Sequence, residues 1–198
     1  MKENGIRLVR EADAPVLSAI YAPYVHGTSI TFETEAPDSA EMARRIAETT
    51  QFPYLVCEAD GEVLGYAYAK PFRSRAAYSW DAETSVYVRQ DSHRRGVASA
   101  LYTALLALLD AQGVYNVYAI ITTPNEKSEG FHRKFGFEDA GVWRRVGYKL
   151  GGWHDVRTME KWLRGDSGAP RPVVPAGALD ERVIADALAA GSARLRGR

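Results

Sequence analysis

The sequence predicts a mixed α/β (α+β) fold, with one central, mostly antiparallel sheet flanked by helices. Three observations lead there. Apolar runs of strand length alternate with stretches of helical periodicity, early and again late in the chain. Between them two apolar runs flank Asp60-Gly61, the dipeptide that accepts positive φ and joins antiparallel strands tightly. No strand–helix unit repeats at a fixed interval, so a repeated parallel winding is disfavoured.

The elements follow in order. Residues 6–9, in "GIRLVREADAPVL", form a short strand. Asp13 then caps a helix with Pro15 in its first turn, and Val16, Leu17, Ile20, Tyr21 and Tyr24 recur at helical spacing. A brief alternating segment lies around Ile30 and Phe32, and after Pro37 a second helix puts Met42 and Ile46 on its apolar side. "YLVCEADGEVLGYAYAKPF" is the hairpin, and "AYSWDAETSVYV" is a further strand. A basic turn leads from it into a helix starting near Gly96. "VYNVYAIITT" is an apolar strand that breaks at Pro124-Asn125, and "EKSEGFHRKFGF" is a short helix stopped by Gly136. "AGVWRRVGYKLGGWHDVRTMEKWL" closes the body as a hairpin with a Gly-Gly turn.

Residues 1–163 therefore read as one domain. Residues 164–198 read as a Pro/Gly-rich linker and a tail with one amphipathic stretch through Leu179, Val183 and Leu188. The sequence leaves open whether that stretch docks or frays.

With 198 residues, 46% hydrophobic and 25% charged, the chain is long and apolar enough for a proper core. Its 25 basic and 25 acidic residues cancel, so nothing global argues for nucleic acid or an acidic membrane surface. The single cysteine, Cys57, lies in an apolar run and reads as a buried small hydrophobe. No leader pattern and no apolar run of transmembrane length is present, and a cytoplasmic setting is expected.

The basic turn carries the chemistry. In "SVYVRQDSHRRGVASAL", Val86 and Val88 point to one face of the strand and Tyr87 to the other. The helix that follows starts with N–H donors that have no intrahelical acceptor. Gly96 and Ala98 keep side chains out of the way, while Arg94 and Arg95 add positive potential. A diphosphate matches this receptor in size and charge. Alone, the same pattern is also that of a basic loop capping a helix.

"HRRGVASAL" resembles the acetyl-CoA motif of the GNAT acyltransferases, Gln/Arg-x-x-Gly-x-Gly/Ala, with His93 in the first position. "PNEKSEGFHRKFGF" resembles the second signature of that family, an Asn followed by a helix ending in Gly-Phe. More narrowly, "TSITFETE", "DGEVLGYAYAKPFRSRAAYSWDAETSVYV" and "GGWHDV" are similar to the phosphinothricin acetyltransferase branch, which includes acetyltransferases of methionine sulfone and methionine sulfoximine. The likeness runs from Ile6 to Leu163.

The resemblance implies the GNAT fold, with the sheet splayed at the cofactor-binding strand and acetyl-CoA as co-substrate. It implies that the main chain of Val86, Tyr87 and Val88 pairs with the pantetheine arm, and that His93, Arg94, Arg95, Gly96, Val97 and Ala98 hold the diphosphate. Asn125 and Ser128 are expected against the cofactor arm. Acyl transfer to an amine needs an acceptor for the ammonium proton. Glu83, on the opposite face from Val86, is the candidate and Asp81 its competitor. His132 stands where many members carry a tyrosine that protonates the thiolate, and it can supply or relay a proton.

For the acceptor, Arg73 and Arg75 can pair with a carboxylate, sulfone or phosphinate, Tyr78 can add a hydroxyl, and Phe32 and Glu35 can wall the pocket with Glu83. No metal is needed. Trp153 reads as packing, with His154 beside it. The expected activity is acetylation of a small amino acid or analogue by direct attack in a ternary complex, in a homodimer by analogy. The alternatives are acetylation of protein N-termini or another amine, and a non-catalytic acetyl-CoA-binding module.

Overall fold

A computed structural model describes residues 4–93, 95–165 and 168–195. Asp60 (φ 57°) and Gly61 (φ 81°) both take left-handed backbone, and they turn β2 (Tyr54–Ala59) into β3 (Glu62–Pro71) as the dipeptide predicts. This hairpin supplies two strands of a seven-stranded sheet. The other strands are β1 (Gly5–Leu8), β4 (Asp81–Val88), β5 (Asn116–Thr123), β6 (Glu138–Lys149) and β7 (Gly152–Trp162), in the order β1-β2-β3-β4-β5-β7-β6. Every neighbouring pair is antiparallel except β4–β5. The mixed, mostly antiparallel sheet is thus the one the sequence predicts.

Side-chain alternation gives the sheet two buried faces. On one, α1 (Ala14–Gly27) and α2 (Ser39–Glu48) cover Tyr54, Val56 and Tyr66. On the other, α3 (Val97–Gln112) covers Leu55, Cys57, Ala67, Ala82 and Val88, joined by Phe131 and Phe135 around α4 (Glu126–Lys134). The tail forms α5 (Glu181–Ser192), which packs on α3 and β1 and sends Ala187 into the same core.

Three local expectations are corrected. The segment around Ile30 and Phe32 forms no strand. Its backbone is held instead by hydroxyl and amine side chains: Thr28 Oγ1 donates to the Tyr24 carbonyl, and the buried Lys149 donates to the Thr31 carbonyl at 2.7 Å. Asp13 makes no capping bond to α1. Its carboxylate accepts from the Arg10 amide at 2.7 Å and from the Arg7 guanidinium, whose two charge-assisted bonds outcompete a single cap. The strand read from Ala77 begins only at Asp81, because Ala76–Tyr78 closes into a 3-10 turn.

Candidate active site

The parallel pairing of β4 with β5 lasts three residues: Asp81 with Asn116, Ala82 with Val117, and Glu83 with Tyr118. Beyond Glu83 the strands part, while β4 keeps its pairing to β3 as far as Val88. A narrow cleft of about 70 Å³ opens there, lined by Thr84–Tyr87 of β4, Ala119–Thr122 of β5, and Ile30, Asn125, Ser128 and His132. The Arg89 amide donates to the Leu64 carbonyl across β3. By the alternation of an antiparallel ladder, the main chain of Val86 and Val88 therefore faces the opening. Their side chains pack on the α3 side and Tyr87 on the α1 side, as the sequence predicts. Tyr87 sits among Tyr21, Tyr24 and Tyr66, with ring centroids 4.7–5.4 Å away.

At the end of β4, Gly96 takes φ 84° and ψ 0° and leads directly into α3. Only glycine adopts that left-handed position without strain, and it offers no side chain to cap the amides of Val97, Ala98 and Ser99. Val97 is buried in the core and Ala98 packs against it, so neither side chain obstructs the helix mouth. His93 Nε2 lies 3.3 Å from both Tyr24 Oη and the Val88 carbonyl, which the Tyr24 hydroxyl donates to at 2.5 Å. His93 thus anchors the turn to β4. Arg95 is half-buried, and Arg94 lies outside the described residues.

Asn125 spends its side-chain oxygen capping α4, accepting from the Ser128 amide at 3.1 Å, and its side-chain nitrogen remains for other use. His132, two turns on from the cap, is 5% exposed. Its Nδ1 is 2.8 Å from the Ser128 carbonyl, an atom that only accepts, so Nδ1 carries the proton. Nε2 then accepts from the Tyr102 hydroxyl at 2.8 Å, and Tyr102 also meets Thr84 Oγ1 at 2.6 Å. Burial holds the imidazole below its usual pKa, partly offset by the Ser128 carbonyl, so it is neutral at neutral pH. A chain of hydroxyl, hydroxyl and imidazole therefore runs under the opening from Thr84 to His132.

Glu83 is on the opposite face. Its Oε1 is 3.0 Å from Lys70 Nζ, its register partner on β3. Burial opposes the Lys70 charge, but the charge and hydrogen bond of Glu83 outweigh it and raise the lysine pKa. Asp81, the competitor, accepts from Asn116 Nδ2 at 2.9 Å, and burial raises its pKa.

Lys70 leads into a larger cleft of about 430 Å³ between α2 and the β2–β3 hairpin. Tyr21, Glu33, Arg45, Thr49, Gln51, Tyr54, Tyr68 and Lys70 are among its walls. Arg45 grips Glu33 through two parallel bonds of 2.8 and 3.0 Å, and Tyr21 donates to Glu33 at 3.0 Å.

The expected acceptor residues fall unevenly around these clefts. Glu33, not the exposed Glu35, lines the larger one. Arg73, Arg75 and Tyr78 line neither cleft; they ride the loop that leaves the larger one at Pro71. There the Arg73 guanidinium lies 5.0 Å from the Phe72 ring centroid, and Phe72 stacks on Tyr118 at 4.0 Å, beside Glu83 in the sheet. Phe32 covers Gly147 of β6, where a Cβ would come within 2.1 Å of its ring. Trp153, read as packing, is 55% exposed and its ring meets Tyr148 and Arg145 of its own hairpin. His154 donates to the Lys149 carbonyl at 2.9 Å. Cys57 is fully buried under α3, and burial pushes its thiol up to about 11.

Sequence reasoning missed Lys70, Thr84, Tyr102, Tyr24 and the Glu33–Arg45 pair. Each gains its place from a neighbour distant in sequence, through strand register or helix packing, so no local signal marked it.

A mixed sheet that opens between its two parallel strands, above a helix led by a left-handed glycine, presents main chain that an extended ligand can pair with as an added strand. Residues 6–158 match the family model described as an acetyltransferase (GNAT) domain. The phosphinothricin N-acetyltransferase of Streptomyces viridochromogenes is 37% identical over 171 residues, covering 86% of this chain and 93% of that protein. The L-methionine sulfoximine/L-methionine sulfone acetyltransferase of Pseudomonas paraeruginosa is 38% identical, covering 84% and 98%. Among solved structures, the phosphinothricin acetyltransferase of Sinorhizobium meliloti in complex with AcCoA superposes with a TM-score of 0.80 at 33% identity, covering 86% and 93%. The chain belongs to the GNAT acetyltransferase family.

Proposed function

We propose that the protein transfers an acetyl group from acetyl-CoA to the amino group of a small amino acid or analogue of the phosphinothricin, methionine sulfone or methionine sulfoximine type. The observation that carries this reading is the opening of the sheet directly beyond Glu83, with main chain on β4 that β5 no longer pairs and a carboxylate on the last paired residue. The pantetheine arm enters the opening and pairs with Val86 and Val88, and the diphosphate meets the amides that follow Gly96. Asn125 and Ser128 line the other side of the arm. The amide of Val86 polarises the thioester carbonyl.

The acceptor comes from the α1–α2 face, where the cleft ending at Lys70 is walled by hydroxyl and charged groups. Arg73 and Arg75 serve its anionic group from the adjoining loop, with Tyr78, Phe32 and Glu35 farther out. Glu83, directly or through water, takes the ammonium proton. The freed amine attacks the thioester carbon, the nitrogen of the tetrahedral intermediate gives up its second proton to solvent, and the intermediate collapses as the C–S bond breaks, with the thiolate protonated in turn. His132 relays a proton toward the thiolate; a neutral imidazole suits relay better than donation at the start. Direct attack in a ternary complex fits a chain whose cysteine is buried away from the opening. A homodimer and a cytoplasmic setting belong to the same reading. β6 is exposed along most of its length and bears Val142, Trp143, Val146 and Tyr148, the face we assign to the second copy.

The test is release of thiol from acetyl-CoA with a panel of amino acids, phosphinothricin, methionine sulfone and methionine sulfoximine. Glu83→Gln is expected to lower kcat/KM about 10²-fold or more near pH 7 and far less at alkaline pH, where the amine arrives unprotonated. An equal loss at every pH would overturn the base role. Acetyl-CoA binding without acceptor-dependent release across a broad amine panel would favour the binding module.

A further inference from the structure

The family match ends at residue 158, and residues 168–180 cross the body as a largely extended strap before α5. The strap is tied to the body by directed bonds, among them the Val174 amide to the Gln112 carbonyl at 2.9 Å. The Trp80 indole donates to the Arg171 carbonyl at 2.7 Å. Gln112, 1% exposed at the end of α3, donates through Nε2 to the Val174 carbonyl and to the Gln51 carbonyl, at 2.6 and 2.7 Å. The Ala176 amide donates to the same Gln51 carbonyl at 3.0 Å.

Of these partners, Gln51 lies in a wall of the acceptor cleft, and Trp80 ends the loop that leaves the cleft at Pro71. Thr49, Thr50 and Gln51 line the cleft, and this short link between α2 and β2 has its Gln51 carbonyl clamped by two donors. Trp80 ends the loop that starts after Pro71 and carries Arg73, Arg75 and Tyr78. Its carbonyl accepts from the Tyr115 amide at 2.9 Å, so strap and sheet together fix the point where that loop re-enters β4. None of these strap contacts reaches the residues that line the cofactor cleft.

We infer that the C-terminal strap is a positioning element for the acceptor: it holds one wall of the acceptor cleft and the loop that leaves that cleft at Pro71, and leaves the acetyl-CoA side untouched. The inference rests on the reading of the α1–α2 face as the acceptor side. A strap of different length or sequence then becomes a means of changing which acceptor fits, with the catalytic strands unchanged.

Two point variants of the full chain test it, each deleting one donor. Trp80→Phe keeps an aromatic ring, though a smaller one, and removes the indole N–H. Ala176→Pro removes the amide at the first position of a 3-10 turn, where proline's φ is already suitable; Pro175 before it has ψ 145°, as a residue preceding proline requires. Each is expected to raise the acceptor KM about two- to tenfold, the range of one hydrogen bond, with kcat and the KM for acetyl-CoA within twofold of the parent. Hydrogen exchange, which needs no acceptor, is expected to quicken at residues 49–53 and 72–80 and nowhere in residues 84–88. Equal changes in both KM values, or unchanged exchange in those two loops, would overturn the positioning role. If exchange quickens as expected while the parent acetylates nothing in the amine panel, the strap holds the loops and it is the acceptor reading that fails.

Discussion

At the residue scale, His132 shows how burial selects a role. The sequence offered it as acid or relay because an imidazole titrates near neutrality. The fold removes part of that choice: one nitrogen donates to the Ser128 carbonyl, the other accepts from Tyr102, and burial favours the neutral ring. Its folded pKa lies below the ordinary 6.5, so below that pH the unfolded chain takes up a proton that the folded chain resists. Stability from this group is complete above pH 6.5 and is lost as pH falls through the folded value. We expect the drop in Tm between pH 7.5 and 5.5 to be smaller in His132→Gln than in the parent, measured by calorimetry at both pH values. Equal drops would show that the imidazole is not the group responsible. Sequence reasoning found His132 through a motif, but it had no access to Tyr102 and Thr84. These reach His132 only when α3, α4 and β4 meet.

At the element scale, the legible parts are those whose cause is local. The Asp60-Gly61 turn, the helix led by Gly96 and the break at Pro124-Asn125 each follow from the backbone preferences of one or two residues. The misread parts are those decided by a distant partner. The segment around Ile30 and Phe32 is held by the distant Lys149, which donates to the Thr31 carbonyl, and Asp13 found Arg7 a better partner than the helix amides. The parting of β4 from β5 came from the family likeness and not from any residue pattern, because nothing in "ETSVYV" shows where a neighbour stops pairing. Gly96 links turn and function. An alanine there would hold φ near 84° at a cost of about 1–2 kcal/mol and put a methyl group at the helix mouth. Gly96→Ala is expected to lower Tm modestly and to raise the KM for acetyl-CoA more than that of the acceptor, as initial rates over both substrates would reveal. A variant with parental cofactor KM would remove the helix N-terminus from the binding site.

At the scale of the whole molecule, the zero net charge leaves no overall field to draw in an anionic ligand, so under the proposed function the cofactor is met by a local cationic turn. The mechanical continuity is longer in range. α3 starts at the cofactor turn, covers one face of the sheet and ends at Gln112, where the strap is tied. α5 lies along the same helix so closely that a Cβ on Gly191 would stand 2.6 Å from the Ala100 carbonyl and 2.8 Å from the Ala104 methyl. Its last turn also reaches the sheet edge, where Ser192 Oγ accepts from the Ile6 amide at 2.8 Å. The tail is therefore part of the body's packing, although the sequence shows only an amphipathic stretch after a proline-rich link. Gly191→Ala sets backbone against methyl, and such overpacking costs about 1–3 kcal/mol. For a chain of this size that is a fall in Tm of about 2–12 °C. We expect faster exchange along α5 and at the Ile6 amide, while β4 and β5 keep their protection, since the contact lies a full turn beyond Gly96. If Tm and the exchange of α5 both matched the parent, the close approach of the two helices would not exist in solution, and the strap would lose the anchor that lets it hold the acceptor wall and loop.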